Sequence, residues 1–450
     1  MLSLLTGKNA DPLAPIPGEY GLPMVGTSLK WIKEPMDFPL RCREKYGDVY
    51  RTQTFSEKCV VLGHPDWAQY VLRENKENFS VPRGWAPFLK DMFPGGLLQR
   101  EPVEHRIHRR IFLPAFSKKA LEGYIALMNP LICQTLDEWG KDKSFHVYPS
   151  VKHMLLTLSA KVFLGIDTPA ELNRLVKGFV DMMNATINLI PYSLPGTALR
   201  RGFLARAFIE KYIYSLLPQK REEKAPDLLS QMCHATSEEG ERFTDKEIVE
   251  HMTFLWMASH DTTTSGLTMS LYLLAKHPAW QERLRETFLG LQTPQLDYQG
   301  LGTLKEVEWV TQESLRLYPP VYAFPRKAIE DCELGGFHVP AGTLIWVDAM
   351  LIHRNHLIWN DPERFDPERF SEERQEHKQH PFAWCPFGGG VHICLGLRFA
   401  TLQIKSILHQ LLLRYEFELP PEYQLKIKAI PMYRPADGLP LRLTHREPSK

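Results

Sequence analysis

Apolar positions recur at helical spacing through most of residues 100–290, and one run there stands out. Thr244 and Glu247 are spaced as a capping box, no proline lies between Glu247 and Lys276, and Pro278 ends the run. About 33 residues at 1.5 Å each predict a helix of roughly 50 Å, long enough to cross a whole domain. Phe254 to Met257 make it apolar on most faces, which predicts burial. Residues 35–80 alternate helix-like and strand-like text, with Asp48–Gln53 and Cys59–Leu62 reading as two strands of a small sheet. Residues 322–350 return to strands, and 400–415 to helix. The pattern predicts a mainly α chain with a minor sheet near each end. Residues 221–224 and 236–242 are polar connections. No repeat of solenoid length occurs, and the duplication Asp361–Phe365 and Asp366–Phe370 is local.

Phe387-Gly-Gly-Gly-Val-His-Ile-Cys394-Leu-Gly396 carries the candidate chemistry. A single cysteine after a glycine-rich loop is a poor disulfide or zinc partner and a good axial ligand for haem iron, provided that it is held as thiolate. A thiolate on haem pushes electron density toward the iron and favours O–O cleavage. Glycines permit positive φ and close backbone approach to a flat macrocycle. Phe387 can shield the sulfur from water. The stretch from Leu395, with Arg398, Phe399, Ala400, Leu402 and Ile404, predicts a helix whose N-terminal dipole favours the thiolate.

This run resembles the haem-binding signature of the cytochrome P450 monooxygenases, with His392 in the slot for Arg or His. The resemblance extends from Pro15 to near Met432. It implies the P450 fold, a single large domain around a buried haem b with Cys394 as axial ligand, in place of the three or so domains that length alone suggests. The expected division is a proline-rich segment at 1–25 and a monooxygenase domain at 26–450. Membrane-bound relatives carry an anchor before such a proline hinge. Here Pro12, Pro15, Pro17 and Pro23 follow a start too short to span a bilayer, so the expectation is a soluble, cytoplasmic member of bacterial type, without a membrane anchor. Formal net charge is +1, from 54 basic and 53 acidic residues, which gives no sign of nucleic acid as a partner. Seven scattered cysteines without a C-x-x-C pair argue against a zinc site or a disulfide framework.

Ala258-Ser-His-Asp261-Thr262-Thr lies in the middle of the long helix, where polar groups cost free energy unless bonded. It resembles the family's oxygen-activation motif, which implies that Thr262 would hydrogen-bond dioxygen and that Asp261 would help to relay protons. Ser259 stands where the family usually has glycine. Glu313-x-x-Arg316 is an i,i+3 pair, and Trp359-x-Asp-Pro-x-x-Phe-x-Pro-x-Arg369-Phe resembles the family's meander. By that resemblance Glu313, Arg316 and Arg369 form a buried charge triad serving folding and haem retention. His105, Arg109, Arg326 and His392 are implied to bind the haem propionates, with Arg the better bidentate partner.

Segments that line the pocket in relatives read Trp85, Phe88, Phe93, Phe179, Met182, Ile187, Ile190, Ala258, Val321, Ala323, Phe324 and Met432 at the tip Ile430-Pro431-Met432. Aromatic and apolar residues dominate, so a large apolar ligand is expected. Leu194–Thr197, Arg200–Gly202, Ala205–Arg206 and the run from His105 to Ser117 resemble the retinoic-acid-hydroxylating and plant steroid-hydroxylating enzymes. The expectation is hydroxylation of a retinoid such as all-trans-retinoic acid at an allylic ring carbon, with Arg83 as a candidate for its carboxylate. Sterol-like or fatty-acid substrates are the alternative. From other classes, a thiolate-haem sensor or carrier would use the same ligands, whereas peroxide-driven enzymes and rearranging synthases tend to lose the Asp–Thr pair. No flavin or nicotinamide motif is present, so electrons would come from a ferredoxin or flavodoxin with its reductase, docking near Arg398 and Lys405.

Overall fold

The structure, a computed structural model, describes residues 11–54, 57–141, 145–166, 168–186 and 192–446. Six of its helices place the chemistry-bearing side chains. Helix α1 (Pro102–Phe112) starts on a proline, which needs no N–H at that position. Helix α2 (Lys118–Trp139) is capped by the Ser117 hydroxyl, which accepts from the Ala120 N–H. Helix α3 spans Val147–Ser159. Helix α4 (Asp245–Lys276) is the long helix that the spacing predicts. The Glu247 N–H donates to Thr244 Oγ1 at 3.3 Å, and the Thr244 N–H donates to Glu247 Oε2 at 2.8 Å. Its 32 residues span about 48 Å. Helix α5 covers Lys305–Leu317 and α6 covers Leu397–Arg414. Helix α4 packs against α3, α5 and α6, and Leu267, Leu271, Ile404, Ile407 and Leu411 are buried together with Met128 and Ile132 of α2.

The strands correct one expectation. Instead of one sheet near each end of the chain, both ends contribute to a single five-stranded sheet. Its strands are β1 (Val49–Thr54), β2 (Glu57–Leu62), β3 (Phe79–Ser80), β4 (Ala323–Ala328) and β5 (Leu344–Asp348), in the order β1-β2-β5-β4-β3. Strands β1 and β2 form an antiparallel hairpin with Val49 opposite Leu62. Strand β2 runs parallel to β5, Cys59 facing Leu344, and β4 is antiparallel to β5, Arg326 facing Ile345. Both faces of β2 and β5 are covered, which is why Cys59-Val-Val-Leu62 reads as a continuous apolar run. Leu13 and Ile16 of the proline-rich segment are buried in the same cluster as Val60, Ile345 and Phe324. Two short hairpins, Tyr415–Glu418 with Arg442–His445 and Ile427–Lys428 with Arg434–Pro435, lie toward the C-terminus. Among the described residues no helix is long and apolar enough to cross a membrane.

Candidate active site

Cys394 leaves the glycine loop just before α6. Its N–H donates to the Phe387 carbonyl at 2.9 Å, and the Gly388 N–H donates to the Cys385 carbonyl at 3.0 Å, so two turns hold the loop. Helix α6 begins at Leu397, two residues later than the pattern predicts, because Leu395 and Gly396 complete the turn after the cysteine. The close approaches of the glycines are to protein. A Cβ on Gly390, at φ +63°, would lie 2.0 Å from the Leu72 carbonyl oxygen, and one on Gly389 would strike the Phe382 ring. Gly388 has an open side, with Phe324 nearest at 3.8 Å.

Cys394 as a residue keeps exposed surface, yet burial around the sulfur raises its thiol pKa against the opposing pull of the Gly396 N–H, Arg109 and the Leu397 N–H. The two N–H groups belong to the start of α6, the positive end of its dipole.

A cluster of basic groups without acids stands beside the cysteine. Arg326 on β4 is buried, and burial alone pushes its guanidinium down to about 10. Its Nη1 donates only to its neighbour's carbonyl, Pro325 O, at 2.8 Å. Arg109 on α1 is also lowered by burial, with Cys394 raising it in opposition. The His105 and His392 rings lie 3.9 Å apart at 30°. Burial and the neighbouring cations push His105 down to about 4 and His392 to about 2, so both are neutral near pH 7. His392 Nδ1 is buried without a hydrogen-bond partner. No carboxylate among the described residues forms an ion pair with Arg109 or Arg326. Buried guanidinium groups are costly without an anion, so the cluster suits a ligand carrying two carboxylates.

Helix α4 has one less buried face. From His251 to Ala275 every residue of α4 is buried except Ala258, Ser259 and Thr262, which share one face of the helix. The Thr262 hydroxyl donates to the Ala258 carbonyl at 2.7 Å, and the Ser259 hydroxyl donates to Trp256 O at 3.1 Å. Asp261 lies off that face, 1% exposed, with Lys152 Nζ of α3 at 2.9 Å and His260 Nε2 at 3.4 Å. Burial would raise its pKa, but His260, Lys152 and Arg434 outweigh that and lower it. Burial pushes His260 itself toward the neutral form, so Lys152, with Arg434 behind it, supplies the positive charge.

Glu313, Arg316 and Arg369 do come together. Arg316 donates from Nε to Glu313 Oε2 at 2.6 Å and from Nη2 to Oε1 at 2.8 Å, and both side chains have 0% exposure. Arg369 Nε approaches Glu313 Oε1 at 3.4 Å, but its shorter carboxylate contact is Nη1 to Glu376 Oε2 at 2.8 Å. Glu376 has no place in the motif, and only folding brings it there. His353 is a second residue that sequence reasoning missed. Its Nδ1–H donates to the Arg316 carbonyl at 3.1 Å, and its Nε2 accepts the Cys385 N–H at 2.9 Å. Burial holds it neutral, down to about 3. Hydrogen bonds thus run from the ion pair through His353 to the loop that bears Cys394.

The cytochrome P450 family profile matches residues 16–438. The chain belongs to the cytochrome P450 family. It is 37% identical to cytochrome P450 136 of Mycobacterium tuberculosis (strain ATCC 25618 / H37Rv) over 96% of this chain and 89% of that one. It is 29% identical to a taxane 13-alpha-hydroxylase of Taxus cuspidata over 96% of this chain and 92% of that one. The solved structure of retinoic-acid-bound cyanobacterial CYP120A1 superposes with a TM-score of 0.87 at 28% identity, covering 96% of this chain and 99% of that one.

This P450 is therefore a monooxygenase whose cofactor is haem b on a cysteine thiolate, and the residues present fit it. Cys394 would hold the iron, Arg109, Arg326, His105 and His392 the propionates, and Phe387 flanks the loop against Trp384 at a 5.9 Å ring separation. When bound, the haem supplies activation of dioxygen with two electrons from a redox partner. Near that site the protein places backbone N–H groups at the cysteine sulfur, the Thr262 hydroxyl on the less buried face of α4, and the Asp261 carboxylate beside Lys152.

The pocket residues divide. Trp85, Phe88, Val321, Ala258 and Met432 keep accessible surface, and Ala323 and Phe324 are each 7% exposed. Phe93, Phe179 and Met182 are packed in the core, with the Phe179 ring 6.4 Å from Phe93 and 4.6 Å from Trp256. Ile187 and Ile190 lie outside the described residues. Arg83 and Arg398 are exposed. Lys405 is not available for docking. It is 3% exposed, and its Nζ pairs with Glu308 Oε2 at 2.6 Å and donates to Leu301 O at 3.3 Å. Helical spacing alone did not reveal which face of α6 is covered by α5.

Proposed function

We propose that this P450 hydroxylates a large apolar isoprenoid, a retinoid such as all-trans-retinoic acid, at an allylic ring carbon, with electrons from a ferredoxin or flavodoxin. One observation carries the reading, the likeness over nearly the whole of both chains to the retinoic-acid-bound CYP120A1 structure. An aromatic wall supports it. Trp85 and Phe88 meet edge to face at 6.3 Å, and Phe88 continues to Trp346 at 5.8 Å. Such a wall suits a flat, conjugated hydrocarbon. Arg83, exposed on the same helix as Trp85 and Phe88, is the candidate counter-ion for a carboxylate.

The second reading is a polycyclic isoprenoid of sterol-like size, favoured by the likeness to the taxane hydroxylase. A binding titration separates the two. Micromolar all-trans-retinoic acid should convert the ferric haem from low to high spin, and mass spectrometry should then find a product 16 mass units heavier. If retinoids leave the spectrum unchanged while sterols or diterpenes shift it, the retinoid reading is wrong.

A further inference from the structure

We propose that Ser259 is a positioning residue, clamping one water molecule jointly with Thr262 on the accessible face of α4. The inference rests on the haem-thiolate site but not on the retinoid. Ser259 and Thr262 are three residues apart on a helix, so their Cβ atoms are about 5–6 Å apart. A single water can bridge that gap with two hydrogen bonds of about 2.8 Å.

The hydrogen-bond directions point the same way. Both hydroxyl protons are already committed, Ser259 to Trp256 O at 3.1 Å and Thr262 to Ala258 O at 2.7 Å. Each oxygen therefore has only lone pairs left to offer a further partner. Water is the small ligand with two protons to give, one to each. The Ser259 carbonyl is taken by the Thr263 hydroxyl at 2.8 Å and cannot compete. Ala258, the third accessible residue of this face, adds no polar group, and the buried Asp261 carboxylate follows directly in sequence before Thr262. Ordered water needs at least two polar partners. With glycine at 259, as is usual in the family, Thr262 would be the single polar partner on this face, one short of what an ordered water needs. The serine thus fixes a proton carrier at the mouth of the Asp261–Thr262 pair.

Crystal structures of the haem-loaded protein, its Ser259→Gly and Ser259→Ala variants, and its Thr262→Val variant would test the clamp. The wild type should show one water within 3.2 Å of both hydroxyl oxygens, the separation of an ordinary hydrogen bond, and all three variants should lose it. A wild type without that water, or a variant that keeps it at full occupancy, overturns the proposal. The same crystals show whether Cys394 still ligates the iron, and the long-wavelength carbon monoxide band of the reduced protein reports the haem-thiolate site separately.

Discussion

Glu313→Gln removes the one carboxylate that both guanidinium groups share. Arg316 keeps carbonyl partners among the described residues but no carboxylate: His353 O at 2.8 Å, Pro362 O at 2.7 Å and Arg364 O at 3.3 Å. Arg369 keeps Glu376 at 2.8 Å. The Asp366 N–H, which donates to Glu313 Oε1 at 2.9 Å, faces an amide that retains a single acceptor. Breaking a buried pair from one side costs about 3–5 kcal/mol, because the remaining charge is stranded. A typical protein has about 5–15 kcal/mol in total, and each 1.4 kcal/mol is about tenfold. The unfolded population should rise by more than two orders of magnitude. Urea unfolding of the holoprotein, with haem per chain measured alongside, reads the effect. Glu372→Gln, which breaks the exposed pair with Lys305, is the control and should leave the midpoint in place. Replacing both partners, Glu313→Leu with Arg316→Met, should recover part of the loss, since no charge is left stranded. If Glu313→Gln moves the midpoint no more than Glu372→Gln, or the double variant fares no better than the single, the reasoning about stranded charge fails.

Three further outcomes follow from buried charge. Arg326→Leu removes a guanidinium that has no anion of its own, so the haem-free protein should unfold at a higher urea midpoint while haem dissociation becomes faster; a fall in the haem-free midpoint would contradict the assignment. Asp348, buried at the end of β5, has its carboxyl pushed by burial to about 7. An acid raised in the folded state holds its proton there while the unfolded chain releases it, so stability falls as pH climbs from the usual carboxylate range through about 7. Asp348→Asn should therefore stabilise the fold by up to roughly 4 kcal/mol at pH 8, at about 1.36 kcal/mol per tenfold in proton affinity, and by less at pH 5, so that the thermal midpoint rises more at pH 8; an equal rise at both pH values would refute it. Asp261 has the opposite sign, since its lowered pKa contributes stability that is lost on acidification. Lys152→Gln should make that acid loss begin at a higher pH in thermal melts, and an unmoved profile would show that the 2.9 Å contact carries little.

Much of the site was legible in the chain because it is local. Eight consecutive residues from Phe387 to Cys394 place sulfur, turn and following helix together, and backbone hydrogen bonding needs nothing else. Glu313 and Arg316 meet because i and i+3 are neighbours on any α-helix. Thr244 with Glu247, and the absence of proline up to Pro278, define α4 from its own text. What remained belongs to contacts between distant segments. The β2–β5 pairing joins residues some 285 positions apart, and periodicity carries no information about which strand becomes a neighbour. The same holds for Glu376 against Arg369, for His353 between Arg316 and Cys385, and for Lys152 against Asp261, all set by which helices and loops pack face to face. Lys405 shows the reverse case, a lysine that composition places on the surface and that α5 covers and neutralises with Glu308. By itself the sequence determined the ligand, the motif residues and the family. Only the tertiary structure decided which charges are stranded and which are paired, because desolvation and pairing depend on what the rest of the chain brings alongside.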